Sequence, residues 1–252
     1  MKNLVSALVC VAISPLLNAA GTAEDAWNEL LRENFRGRPA FSFVENDPSL
    51  PNVLIYGDSI SIGYTQVVRD KLAGRANVYR IHLNGGDSGS AIRKLEDLHK
   101  AMRSPELEDP WTFAWDVIHF NVGLHDLKYI HQGKLDKVNG KQVSSKAEYA
   151  ENLENLIRYL QYLAPEAKLV FATTTPVPEG EPGRHAGDAA NYNAVASGVL
   201  QAFPDVVIND LHFFIKHHPN EGWTKPANVH YTQDGSTALG KQVAEVIREH
   251  LQ

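Results

Sequence analysis

Five short apolar runs rich in β-branched and aromatic residues punctuate the chain: Val53–Tyr56, Val78–Leu83, Val117–Val122, Leu169–Thr173 and Val206–Ile208. Each is too short for a helix, and all but Leu169–Thr173 adjoin Gly, Asn or Asp, so each predicts a buried strand. Between them the apolar positions change period. Ile92, Leu95, Leu98 and Met102 fall on one helical face, as do Leu153, Leu156, Ile157 and Leu160. Leu239, Val243, Val246, Ile247 and Leu251 do the same near the end. This i, i+3, i+4, i+7 spacing marks helices with one buried stripe. Residues 24–36 predict a short leading helix outside the alternation. Strands alternating with helices imply a parallel sheet covered on both faces, an α/β fold of three αβα layers. The segments 134–146 and 176–187, the second rich in Pro and Gly, follow carboxyl ends of strands. Both are expected at the mouth of a site.

The first twenty or so residues do not fit this pattern. A short basic start precedes the apolar stretch Leu4–Leu17, and small residues follow at Ala19, Ala20, Gly21 and Ala23. That is the layout of a secretory signal peptide over residues 1–23, leaving one domain over 24–252 and a secreted or periplasmic protein. The only cysteine, Cys10, lies in the segment to be removed, which excludes disulfides and thiol chemistry afterwards. A composition of 43% hydrophobic and 21% charged residues suits a sizeable core. With a net charge of −6 and no basic run, nucleic acid is not an expected partner. Nor is a membrane, once the signal is cleaved. The eleven histidines show no spacing that predicts a metal site.

The chemistry begins at Gly57-Asp58-Ser59-Ile60, where the first strand ends and a helix starts. A hydroxyl at such a turn faces solvent, close to unpaired backbone N–H groups. Ser59 is thus a candidate nucleophile, although Asp58, Ser59 or Ser61 could each serve as a helix cap. A serine nucleophile needs a base, and His230, just before the last helix, stands on a loop beside the sheet. Asn84-Gly85-Gly86-Asp87 and Gly123-Leu124-His125-Asp126 follow the second and third strands and offer donors for an oxyanion.

These ordered blocks resemble the GDSL, or SGNH, family of serine hydrolases across about residues 50–250. The resemblance implies a flavodoxin-like five-stranded sheet, hydrolysis of small esters through an acyl-serine, and no cofactor. It places the nucleophile on Ser59 and the base on His230. The oxyanion donors would be the Ser59 and Gly86 N–H groups and the His125 side chain, with Asp58, Asp126 and Asn228 in support. Two positions depart from the family. His125 replaces an asparagine, and a ring N–H can donate in its stead if the tautomer is right. Ala227 stands where the acid belongs, three residues before His230. The Asn228 side chain, a backbone carbonyl near Pro226–Ala227, or a distant carboxylate could replace it. A Ser59–His230 dyad with a backbone carbonyl on Nδ1–H is expected. Asp234 reads as the cap of the last helix and Asp210 as the end of the fifth strand. Arg184 reads as a solvated loop residue; Trp111, Trp115 and Trp223 read as packing aromatics. Resemblance and export together point to a small ester or acetylated carbohydrate as substrate. A lysophospholipase or thioesterase, and an inactive carbohydrate-binding relative, are the alternatives.

Overall fold

A computed structural model of the protein describes residues 21–218 and 220–251. Most of the expected signal segment, Cys10 included, lies outside the described residues. In chain order the elements are α1 (Ala23–Leu30), β1 (Asn52–Tyr56), α2 (Ser59–Lys71), β2 (Asn77–Arg80), α3 (Ala91–Met102) and β3 (Val117–Phe120). The short strands β4 (Tyr129–His131), β5 (Lys134–Leu135) and β6 (Lys141–Gln142) follow, then α4 (Lys146–Leu163), β7 (Lys168–Ala172) and α5 (Asp188–Leu200). The chain ends with β8 (Val207–Asn209), α6 (Leu211–His217), β9 (Thr224–Lys225), β10 (Asn228–Tyr231) and α7 (Gln233–Arg248).

The main sheet has the order β2-β1-β3-β7-β8, with every pairing parallel. All five residues of β1 are buried, because helices cover both faces of the sheet and leave no side for polar alternation. Helices α2 and α7 pack on each other, while α3, α4 and α5 pack in succession. This is the five-stranded, three-layer α/β fold that the sequence predicts. The strand order reverses between β1 and β3. The chain leaves β1 toward one edge and β3 toward the other, so the loops at their carboxyl ends part and open a crevice.

Several boundaries differ from the expected ones. β2 ends at Arg80; Ile81 N–H still reaches Ile55 O at 3.0 Å, and then Gly85 N–H bonds Gly57 O at 2.9 Å. The chain is thereby turned across the end of β1 instead of extending to Leu83. The leading helix is shorter than 24–36. Thr22 and Asp25 form a capping box at its start, a 3₁₀ turn at Glu33–Phe35 stands where its end was expected, and a second follows at Pro39–Phe41. Thr232, with extended backbone, caps α7 by accepting from Gly235 N–H, so Asp234 lies in the first turn and is not the cap. The fifth main strand, β8, stops at Asn209, and Asp210 caps α6 through Phe213 N–H at 2.9 Å. The segment 134–146 contributes β5 and β6 to a small antiparallel sheet with β4.

The packing of α7 on α2 brings His230 over the start of α2. Two glycines permit the close approach. A Cβ on Gly63 would stand 3.0 Å from Ser236 Oγ, and one on Gly240 would stand 2.6 Å from Val67 Cβ. In a helix interior Ala is favoured over Gly by about 1 kcal/mol. Here the added methyl has no space, and overpacking of this kind costs about 1–3 kcal/mol. Gly240→Ala is therefore expected to lower the urea unfolding midpoint and to weaken the Ser59–His230 contact. A raised midpoint would show that propensity, not helix spacing, governs this position.

Candidate active site

Ser59 is the first residue of α2, immediately beyond the carboxyl end of β1. The ambiguity over the cap is resolved by geometry. Asp58 Oδ1 accepts from Ile60 N–H at 2.9 Å, and Ser61 Oγ donates to Asp58 O at 2.7 Å. Both neighbours are committed to the turn, and Ser59 keeps its hydroxyl for the crevice. Its N–H, at the first helical position, falls outside the helix's own i→i−4 ladder. Burial pushes the Asp58 carboxyl up to about 6, against the pull of the Ile60 N–H.

His230 Nε2 lies 2.9 Å from Ser59 Oγ, and His230 Nδ1 lies 2.8 Å from Asn228 Oδ1. A hairpin explains both contacts. Pro226 and Ala227 form the turn between β9 and β10, with Ala227 in the left-handed region (φ 50°). Lys225 pairs with Asn228 and Thr224 with Tyr231, so Val229 and His230 are extra residues in a bulge. Alternation along β10 buries Val229 and Tyr231 and exposes Asn228 and His230 together. The Asn228 amide oxygen also accepts from the His230 main-chain N–H at 2.9 Å.

That second bond fixes the chemistry. A main-chain N–H can only donate, so the atom facing it is the amide oxygen and not the amide nitrogen. The same oxygen then requires Nδ1 to carry the ring proton, leaving Nε2 as the acceptor toward the Ser59 hydroxyl. The Nδ1 bond is thus made by the Asn228 side chain, not by the expected backbone carbonyl. Residue 227 lies in the turn and outside the alternation of β10, which is why an alanine is tolerated there. Burial, then Lys225 and Arg184, hold the His230 pKa below its ordinary value.

His125, after β3, receives its own fixed tautomer. Lys128 Nζ lies 3.1 Å from His125 Nδ1. An ammonium group has no acceptor, so Nδ1 is the lone-pair nitrogen and Nε2 carries the proton. Burial, then Lys128 and Arg184, push the His125 pKa down to about 3, so the ring is neutral. Tyr129, four residues on, meets His185 edge to face. Gly86 (φ 69°) holds the turn after β2, but its N–H donates to Asn84 Oδ1 at 3.0 Å. The donor that the resemblance gives to an oxyanion is taken by Asn84 in this state. Asp126 ties these loops together. Its buried carboxylate accepts from Ser88 N–H at 3.0 Å, Ser88 Oγ at 2.5 Å and Ser144 Oγ at 2.8 Å.

Two clefts meet at Ser59, Asn84 and His230. One, of about 470 Å³, adds Phe35, Arg38, Lys225 and Tyr231. The other, of about 550 Å³, adds His125, Lys128, Leu135, Pro182, Arg184 and Asn228. Parts of 134–146 and 176–187 therefore do border the site. Arg184 is not a solvated loop residue. It is 5% exposed, its Nε donates to Leu124 O at 2.9 Å, and its Nη1 pairs with buried Glu181 at 2.6 Å. Asn193 clamps Thr174 through two bonds of 2.8 Å. Trp111 and Trp115 pack in a buried aromatic cluster, and Trp223 stacks on Phe214. Asn84 and Lys128 are the site residues that sequence reasoning missed. Only their places in the two donor loops signalled them.

A histidine accepts a proton from Ser59 only when neutral, so a lowered His230 pKa keeps it able to do so further toward acid. Labelling of Ser59 by a fluorophosphonate is expected to fall off at a pH below 6.5, the ordinary histidine value. Asn228→Asp puts a carboxylate on Nδ1–H, favours the imidazolium and should move that limb upward. Asn228→Ala should slow labelling by a factor on the order of 10²–10⁴. An unchanged pH profile in both variants would contradict the role of Asn228.

No curated protein sequence matches the chain. Among solved structures, a lipase/acylhydrolase from Enterococcus faecalis is similar with a TM-score of 0.59 and 19% identity, covering 80% of this chain and 97% of that one. An acetyl xylan esterase, AlAXEase, gives a TM-score of 0.58 with 16% identity over 78% of this chain and 99% of that one. An acetylxylan esterase from Geobacillus stearothermophilus gives 0.56 with 16% identity over 78% and 94%. At such identities these likenesses establish the fold alone. Residues 55–238, most of the chain, match the GDSL-like Lipase/Acylhydrolase family. They run from the end of β1 through the serine turn and the donor loops to the histidine hairpin, and the chain belongs to that family of hydrolases.

Proposed function

We propose that the protein is an exported serine esterase that removes small acyl groups, foremost O-acetyl groups of carbohydrates, through an acyl-Ser59 intermediate. The observation that carries this reading is the chain Ser59 Oγ–His230 Nε2–Asn228 Oδ1, with contacts of 2.9 and 2.8 Å and a single allowed tautomer. His230 removes the Ser59 proton as the hydroxyl attacks the acyl carbonyl. The oxyanion is held by Ser59 N–H and His125 Nε2–H, and Gly86 N–H joins when the Asn84 side chain turns aside. The imidazolium then protonates the leaving alcohol, and neutral His230 activates water for deacylation. The imidazolium meets an amide dipole instead of a charge, much as in the Cys-His-Asn sites of papain-like enzymes.

The carbohydrate part of the reading is supported by two of the similar folds, which bear the description acetyl xylan esterase. The reading as an inactive binder drew its strength from Ala227, and Asn228 supplies what Ala227 lacks. A longer acyl chain is the second reading, favoured by the apolar wall of Ile130, Leu135 and Val229 in the larger cleft. Export is part of the proposal. Thr22 and Ala23 are hydrogen-bonded at the start of α1, with Ala23 N–H bonded to Asp109 at 2.6 Å. Cleavage is therefore proposed at or before Thr22, earlier than a boundary after residue 23.

Protein recovered from the periplasm or medium should begin at or before Thr22 by intact mass and should hydrolyse 4-nitrophenyl acetate faster than the butyrate. Ser59→Ala and His230→Ala should abolish both activities. His125→Ala should cost about 10²–10³ in kcat, the usual loss for one oxyanion donor, and His125→Asn should recover most of it. Preference for butyrate would favour the second reading. Equal background rates in all variants would refute ester hydrolysis by this site.

A further inference from the structure

The lining of the smaller cleft is opposite in sign to the protein's net charge of −6. The chain has 30 acidic and 24 basic residues. Yet this cleft, which shares Ser59, Asn84 and His230 with the larger one, is lined by Arg38 and Lys225 and by no carboxylate. Neither cation forms an ion pair with a described residue. Among the described residues the ion pairs are Arg158–Glu154, Arg184–Glu181 and Arg248–Glu245. The Arg38 guanidinium sits over the Phe35 and Phe41 rings, 5.7 and 5.8 Å from their centroids, which restrains it while leaving its N–H donors open. Lys225 stands on β9 directly across from Asn228, next to the strand that carries the base.

The larger cleft adds to the imbalance. It holds Lys128 and Arg184 against one acid, Glu181, whose two oxygens are taken by Arg184 Nη1 and Gly183 N–H. The walls of both clefts thus carry more cations than carboxylates, with Asp58, Asp87 and Asp126 set behind them, and such walls draw anions and repel cations. The smaller cleft, at about 470 Å³, is of the size of ordinary small-molecule sites.

We propose that the smaller cleft is an anion subsite: the alcohol part of the ester bears a carboxylate, as in an O-acetylated sugar acid, held by Arg38 and Lys225 while the acetyl carbonyl lies at Ser59. This rests on the acyl-Ser59 reading above and narrows its substrate class. A neutral sugar would leave both cations without a counter-charge. The two cations lie outside the Ser59–His230–Asn228 chain; Lys225 also lowers the His230 pKa, an effect common to every ester, so their part in choosing the ester is read from the ratio of two substrates.

The test compares O-acetylated methyl glucuronide with its neutral uronate methyl ester, in the wild type and in the Arg38→Gln/Lys225→Gln double variant. The wild type should prefer the acid by about tenfold in kcat/KM at low ionic strength, the scale of two partly exposed ion pairs. The preference should shrink at high salt and vanish in the double variant. Because the readout is a ratio between two substrates, a general effect of the substitutions on turnover cancels. Equal kcat/KM for the two esters in the wild type would overturn the proposal while leaving the esterase reading intact. If neither ester is cleaved, the esterase reading fails separately. Titration of Ser59→Ala with methyl glucuronide, followed by NMR, then decides the subsite. Tighter binding of the acid than of its methyl ester, lost in the double variant, supports the subsite, and equal or absent binding overturns it.

Discussion

The hydrogen bond from the His230 main-chain N–H to Asn228 Oδ1, at 2.9 Å, is the constraint on which the site depends. It exists because the β9–β10 hairpin is bulged, which takes His230 out of the regular ladder. Left alone, an asparagine beside a histidine could present either end of its amide and so select either tautomer. The main-chain donor removes that freedom. One local backbone irregularity thus orients an amide, the amide orients a ring proton, and the ring presents a lone pair to Ser59. A neutral residue can do this work only because its orientation is imposed from outside.

The same logic recurs across the crevice. Lys128 gives His125 a single tautomer, as an ammonium group can only donate. Asp126 binds the loops after β2 and β3 and the approach to α4 through buried bonds to Ser88 and Ser144. A buried carboxylate is tolerated where its oxygens are so fully engaged. Loops that would otherwise move independently are thereby held in one arrangement around the serine. The parallel sheet supplies the common edge from which they rise, and α7 packed on α2 supplies the histidine.

The sheet and the serine turn were legible because they rest on local signals. Short β-branched runs between helical periodicities specify a parallel sheet, and Gly57-Asp58-Ser59 follows the first of them. His230 and His125 were legible through resemblance to ordered blocks. What stayed hidden depends on backbone geometry or on distant partners. Asn228 is one of three options that the sequence leaves for the Nδ1 bond, and nothing local ranks it above a backbone carbonyl. The bulge that places residues 228 and 230 on one face has only the alternating pattern of Asn228–Tyr231 to announce it. Arg184 looked like a loop residue because Glu181 and the Leu124 carbonyl, which bury it, are visible only in three dimensions. Gly86 was placed at the right turn, yet nothing in the sequence says that Asn84 occupies its N–H.

With Asn228 Oδ1 on Nδ1, the His230 ring is neutral and protonated on Nδ1, and nitrogen-15 NMR of histidine-labelled protein near neutral pH tests that directly. A protonated-type Nδ1 and an unprotonated-type Nε2 are expected for His230, with the pattern lost in Asn228→Ala. The reverse assignment, with the proton on Nε2, would mean that His230 cannot accept from Ser59 in this arrangement and would contradict the account.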